Sequence, residues 1–271
     1  MSTAASPIGV FDSGIGGLTV VRELMRQLPH ECVIYFGDTA RVPYGPKSPD
    51  TVRRYSREIA GYLTSQDVKA IVVACNTATA HALPTLQREH TIPVIGVVEP
   101  GARAAVAATR RGDLGVIGTA GTIGSGAYER AIRAIAPDTN IVARACPLFV
   151  PLVEEGWLNT EPTRLIAREY LGPLQAAGID TLVLGCTHYP LLKPLIGRIL
   201  GPDVALIDSA HETAAETARV LASRGLLNDA LPPTARLTHR FIASDAADHF
   251  LRLGQRFLGS AIECVETLTL G

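Results

Sequence analysis

The chain has 271 residues, 47% of them hydrophobic and 19% charged, which excludes extended disorder, because disordered segments are poor in apolar side chains and rich in charge. Lys and Arg number 25 and Asp and Glu 26, for a formal net charge of −1, so no broad electrostatic footprint for nucleic acid is expected. No apolar run reaches the about 18 residues of a membrane-spanning helix, and the first seven residues carry neither a basic nor an apolar signal region, so a cytoplasmic protein without a membrane partner is expected.

Short β-branched runs alternate with helical stretches along the chain. Residues 8–11 read as a strand, followed by the Gly-rich Asp12-Ser-Gly-Ile-Gly-Gly17 and a helix over 18–28. A strand over 32–36 leads through a loop over 38–45 to a helix over 49–65. Strands over 70–74 and 94–98 flank a helix over 84–90, and a helix over 102–110 follows. Strands over 114–117, 141–145, 181–184 and 204–207 alternate with helices over 128–135, 162–177 and 210–223. Near-continuous apolar strands between helices mean parallel sheets covered on both faces, so the expected class is α/β.

The chain also echoes itself. Residues 8–18 and 114–124 are each a strand entering a Gly-rich turn, and 70–77 and 181–188 are each a strand ending in Cys. Asp12 precedes Cys75 by nearly the interval that separates Thr119 from Cys186. Matched order and spacing predict two pseudo-equivalent halves. Their join is expected near Glu99-Pro100-Gly101, a Pro/Gly break after a strand.

Five cysteines, an odd number without a CxxC, argue against a disulfide framework or a structural zinc site. Cys75 and Cys186 end buried-strand patterns and precede expected helix starts, where helix-terminal charge lowers a thiol pKa. Cys32 is expected to begin a strand, Cys146 precedes Pro147, and Cys264 is expected in an apolar C-terminal strand; these three read as packing residues. Two thiols facing a substrate from opposite sides could invert a stereocentre, one removing a proton and the other returning one. A hydrolase would need only one Cys with a positioned His.

The loop from Asp12 to Gly17 could cradle a carboxylate or phosphate with backbone N–H groups. A dinucleotide fingerprint competes, with Gly14-x-Gly16 present and Asp38 ending the next strand, but Thr19 replaces the third Gly and Asp12 would crowd a pyrophosphate. The sequence lacks a Gly-Lys-Ser/Thr P-loop. Thr77, Thr79, Thr119, Thr122 and Thr187 could cap helices or offer hydroxyls to an amino acid's charged groups. His188 could polarise Cys186 or relay its proton, or be an ordinary helix-start His. Glu154 and Glu155 read as exposed helix-end carboxylates, and Trp157 and the Arg110-Arg111 pair as surface or packing features.

Five motifs in order make these residues specific: 11–19 (Phe-Asp-Ser-Gly-Ile-Gly-Gly-Leu-Thr), 37–45 (Gly-Asp-Thr-Ala-Arg-Val-Pro-Tyr-Gly), 74–79 (Ala-Cys-Asn-Thr-Ala-Thr), 146–156 (Cys-Pro-Leu-Phe-Val-Pro-Leu-Val-Glu-Glu-Gly) and 184–190 (Leu-Gly-Cys-Thr-His-Tyr-Pro). With them the chain resembles the cofactor-independent glutamate racemases of the aspartate/glutamate racemase superfamily, from Ile8 to about Leu258. The resemblance implies two pseudo-equivalent three-layer α/β domains with the active site in the cleft between them, the first over 1–98 plus 208–271 and the second over 99–207. It implies interconversion of L- and D-glutamate for peptidoglycan, without pyridoxal phosphate or metal. By motif, Cys75 would act on the α-proton of the D-enantiomer and Cys186 on that of the L-enantiomer, assisted by Asp12 and His188 respectively. Ser13, Pro43, Tyr44, Gly45, Asn76, Thr77, Thr119, Thr122 and Thr187 would hold the substrate. The auxiliary glutamate is assigned to Glu154, with Glu155 as the alternative. A homodimer is the expected assembly. The rival readings are a racemase or isomerase of aspartate or another small acid, and an interaction protein of the kind thought to bind DNA gyrase.

Overall fold

A computed structural model describes residues 2–228 and 237–270. The first part of the chain runs β1 (Ile8–Asp12), α1 (Leu18–Gln27), β2 (Val33–Gly37), α2 (Pro49–Ser65), β3 (Ala70–Val73), α3 (Asn76–Glu89), β4 (Val94–Gly96) and α4 (Val98–Ala108). It continues through β5 (Asp113–Gly118), α5 (Ala120–Gly124), α6 (Ala127–Ile135), β6 (Asn140–Ala145), α7 (Phe149–Glu154), α8 (Glu161–Ala176), β7 (Thr181–Gly185), α9 (Lys193–Leu200) and β8 (Ala205–Asp208). It ends with α10 (Ser209–Ser223), β9 (Arg240–Ala243), α11 (Ala247–Leu258) and β10 (Glu266–Thr267).

The strands form two sheets with every neighbouring pair parallel, which is the expected α/β class. The six-stranded sheet has the order β10-β9-β2-β1-β3-β4 and the four-stranded sheet the order β6-β5-β7-β8. Within them β2-β1-β3-β4 and β6-β5-β7-β8 are the same arrangement met twice, so the sequence echo is a repeat of topology. In each, the chain leaves the first strand to one side and then crosses to the other, which opens a crevice at the carboxyl end of β1 and of β5. Register fills those crevices. Asp12 pairs with Gly37 and Phe11 with Val73, so the turn after β1 and Cys75 after β3 emerge at one level. Gly118 pairs with both Ala145 and Gly185, which brings Thr119, Cys146 and Cys186 to one level in the second sheet.

Local chemistry explains the element ends. Ser48 caps α2 by accepting from the N–H of Thr51, with Pro49 at the first helical position. Asp208 caps α10 by accepting from the N–H of Ala210 at 3.0 Å. Helix α10 packs on both α1 and α4, so one apolar face joins elements of both sheets. Fully buried side chains such as Phe36, Val72, Leu182 and Leu184 each contribute about 1.5–3 kcal/mol.

Some expectations need correction. The strand expected over 94–98 stops at Gly96, and Val98 already belongs to α4. Glu99-Pro100-Gly101 is therefore the first turn of that helix and not a break. Pro is tolerated there because first-turn N–H groups have no helical partner. The helix expected from Pro84 begins at Asn76, nucleated by the Cys75 cap, and carries Pro84 in its interior. Strand β9 and helix α11 were not anticipated, and the apolar C-terminal strand expected around Cys264 is instead the two-residue exposed β10; both strands are too short to show a periodicity. Cys264 is exposed in the loop before β10, not in an apolar strand, and Cys32 lies one residue ahead of β2. No helix among the described residues is long and apolar enough to cross a membrane.

At the amino end of β7, away from those crevices, buried Asp180 accepts from the Thr109 hydroxyl at 2.6 Å and from the N–H groups of Arg110 at 2.9 Å and Arg111 at 2.7 Å. Burial raises its pKa, but these hydrogen bonds outweigh that and hold it at about 2, against 3.8 unperturbed. The folded value lies below the unfolded one, so the stabilisation is present above pH 3.8 and is lost as pH falls through about 2. Asp180→Asn should cost about 1–3 kcal/mol in urea unfolding at pH 7. The gap from wild type should close in this acid window; a constant gap from pH 7 to pH 2 would refute the account.

Candidate active site

One cavity of about 420 Å³ opens between the carboxyl ends of the two sheets. From the side of the six-stranded sheet it is lined by Asp12, Ser13, Pro43, Tyr44, Gly45, Cys75, Asn76 and Thr77. From the other side come Thr119, Glu154, Cys186, Thr187 and His188. Thr122 is not on the wall. It is buried behind it, with its hydroxyl 3.0 Å from that of Thr119 and 3.2 Å from that of Thr77. Gly14, from the loop expected to cradle a carboxylate, also lines the cavity, as do Val42, Pro46, Ala120, Pro147, Val150 and Pro151, which were not singled out although the 37–45 motif contained Val42 and the 146–156 motif the last three. Cavities of about 460 and 720 Å³ elsewhere are lined by no cysteine.

Backbone N–H groups surround Asp12 because the turn after β1 doubles back over it. Its Oδ2 accepts from Gly14 at 3.2 Å and Gly17 at 3.1 Å, while Oδ1 has no partner. Cys75 caps α3, its sulfur accepting from the N–H of Ala78 at 3.4 Å and lying 3.7 Å from the Ser13 hydroxyl. Burial and the Asp12 charge push the Cys75 thiol up to about 12. The helix terminus was expected to lower it; hydrogen bonds from Ala78 and Ser13 are outweighed by lost hydration and a nearby carboxylate. Beside Cys75, Asn76 is 3% exposed and its Nδ2 has no partner.

Cys186 follows β7 and enters a short 3-10 turn over Tyr189–Leu192, not the expected α-helix, which starts at Lys193. Its sulfur lies 3.9 Å from His188 Nδ1, and His188 Nε2 lies 2.9 Å from Glu154 Oε1. Burial alone would disfavour the imidazolium. The hydrogen bonds to Cys186 and Glu154 outweigh it and raise the pKa to about 10. Phe257 on α11 meets the His188 ring in a T-shaped contact, and Arg256 donates to the Glu154 carbonyl at 2.9 Å. Glu154 rather than Glu155 therefore completes the chain from Cys186, and it is not a bystander carboxylate.

Contacts between the two sides are close and polar. Thr77 and Thr119 hydroxyls meet at 2.9 Å, and the Thr19 hydroxyl donates to the Thr187 carbonyl at 3.1 Å. A Cβ at Gly16 would fall 2.3 Å from Thr187 Oγ1 and 2.4 Å from His188 Nδ1. The loop carrying Tyr44 is anchored by buried Asp38, which accepts from the Tyr44 hydroxyl, from Arg41 and from Ser244. Among the described residues no group of three or more His, Cys, Asp or Glu is arranged to hold a metal ion.

The arrangement offers two thiols on facing walls, each with its own acid or base, around donors and acceptors that lack partners. Residues 8–217 match the Asp/Glu/Hydantoin racemase family. The chain is similar to a glutamate racemase of Geobacter metallireducens, 56% identical over 263 residues, covering 97% of this chain and 96% of that protein. It is also similar in structure to glutamate racemase isoform RacE1 from Bacillus anthracis, with a TM-score of 0.92 at 43% identity over 98% of this chain and 97% of that one. The Francisella tularensis glutamate racemase in complex with D-glutamate superposes with a TM-score of 0.91 at 40% identity, covering 98% of each chain.

Only a thiolate alkylates readily, so iodoacetamide at pH 7.5 should modify exposed Cys264 quickly and Cys75 slowly, with Cys75 labelling rising towards pH 12. Peptide mass spectrometry checks this, and equal labelling at pH 7.5 would contradict it. Glu154→Gln removes the negative charge beside His188 and should lower the His188 titration midpoint by about 1–3 units, read by NMR of the imidazole. An unmoved midpoint would show that Glu154 does not sustain the imidazolium.

Proposed function

The chain belongs to the Asp/Glu/Hydantoin racemase family, and we propose that it is a glutamate racemase that inverts the α-carbon with two cysteines. The observation that carries the reading is the placement of Cys75 and Cys186 on the facing walls of one cavity, one after β3 and the other after β7. The substrate of the similar Geobacter, Bacillus and Francisella enzymes supports glutamate as the amino acid. The product D-glutamate would supply peptidoglycan synthesis.

Removing an amino acid's α-proton is hard because the carbanion is poorly stabilised. The base must be in place, and the substrate's carboxylate and ammonium must be held in register with it. The unpartnered Nδ2 of Asn76 is suited to that carboxylate, and the unpartnered Oδ1 of Asp12 to the ammonium. With L-glutamate, the Cys186 thiolate takes the α-proton and becomes a thiol. The carbanion then takes the Cys75 proton on its other face, leaving a thiolate at Cys75 and D-glutamate. The reverse reaction exchanges the roles. The resting site suits the first direction, since Cys75 keeps its proton and a charged His188 stands beside Cys186. Asp12, near Cys75, and His188 with Glu154, near Cys186, can return protons between turnovers. Proton occupancy of the two thiols is coupled, so a pH–rate profile reports the site as a whole.

Cys75→Ala and Cys186→Ala should each lose racemisation by at least about 10²-fold while circular dichroism stays native. Cys32→Ala, Cys146→Ala and Cys264→Ala should keep most activity. In D₂O, deuterium should enter Cα of product formed from either enantiomer. Near-normal turnover by either Cys75→Ala or Cys186→Ala would sink the two-thiol reading, and comparable kcat/KM for aspartate would reassign the substrate.

A further inference from the structure

Tyr128 lies on α6, outside the cavity wall, and is 1% exposed. Its hydroxyl donates to Asn76 Oδ1 at 2.7 Å, across from the second sheet's side to the first. An amide oxygen can only accept, so in this bond the phenol spends its one proton on Asn76. The amide NH₂ is thereby turned the other way, and it is this nitrogen that has no protein partner. The ring also packs where glycine leaves room: a Cβ at Gly185 would fall 2.9 Å from Tyr128 Cε2. Asn76 follows Cys75 and Gly185 precedes Cys186. One buried side chain thus touches the immediate neighbours of both thiols.

We propose that Tyr128 is a positioning residue for the reaction: its hydroxyl locks the Asn76 amide with NH₂ towards the substrate carboxylate, and its ring sets how closely the Cys186 strand end approaches Cys75. The inference rests on the two-thiol reading above. Enantiomers have equal free energy, so any variant must keep equal kcat/KM for L- and D-glutamate. The effect is therefore read in KM against kcat, not in a preference for one enantiomer.

Tyr128→Phe keeps the ring and removes the proton that orients Asn76. KM for both enantiomers should rise about tenfold, the worth of an ionic hydrogen bond, with kcat changed less than about threefold. Asn76→Ala should raise KM at least as much, and the double variant should be no worse than Asn76→Ala alone, because both act through one amide. A merely structural role would lower Tm and the active fraction and leave KM alone. A KM within about twofold of wild type, or fully additive effects, overturns the proposal while an active wild type keeps the two-thiol reading. A wild type without glutamate racemisation overturns both. If Tyr128→Phe does not fold, Tyr128→Met removes the same proton with an adaptable apolar chain and decides on the same readout: a KM raised about tenfold supports the proposal and an unchanged KM overturns it.

Discussion

No side chain at residue 16 fits against Thr187 and His188, and the whole site depends on that contact. The turn after β1 can meet the segment after β7 only because Gly16 brings no Cβ to the meeting point. Gly121 does the same opposite, where a Cβ would fall 2.7 Å from the Gly45 carbonyl. With both glycines, the carboxyl ends of two sheets close on each other tightly enough for hydroxyls and carbonyls to bond across. A cavity of about 420 Å³ remains between them, small enough for an amino acid to touch both walls. Two parallel sheets with open ends are common; two that bring those ends into polar contact need this local loss of side-chain volume.

Within a repeated frame the chemistry is not repeated. The strand order matches between the halves, and each offers a cysteine after its third strand. The position that is Asp12 after β1 is Thr119 after β5. The carboxylate on the side of the second thiol comes instead from α7 and bonds to His188. The consequence is electrostatic. A buried carboxylate beside Cys75 favours its thiol, whereas the neighbour of Cys186 is a charged imidazole. On the two-thiol proposal one base must start loaded and the other empty, and Cys75 is the one held as a thiol, without breaking the symmetry of the scaffold.

Elements with long hydrophobic patterns were legible and those without were not. Strands β1, β2, β3, β5, β6 and β7 lie within a residue or two of their expected positions, because buried parallel strands leave continuous apolar runs. The region 94–101 was misread because Val97 and Val98 carry strand-forming side chains while the hydrogen-bonded ladder ends at Gly96. Strand β9 has four residues and β10 two, each held by a neighbour distant in sequence. Helix α11 was missed too, and with it Phe257 and Arg256, which support His188 and Glu154.

For the site, the residue types and their places at strand ends were readable from the sequence: Asp12, Cys75, Thr119, Cys186 and the loop over 43–45. Motif and period are local properties, and both survive in a linear string. What only the tertiary structure decided was mutual geometry. Thr122 looks identical to Thr119 in sequence, yet one lines the cavity and the other stands behind it. Cys75 was expected to ionise readily at a helix start, but burial and Asp12 reverse that, and neither burial nor a neighbour 63 positions back is encoded at the helix start itself. The choice of Glu154 over Glu155 and the reach of Tyr128 to Asn76 depend on which face of a helix turns inward. Packing sets that orientation, and packing is settled by contacts between residues far apart in the chain.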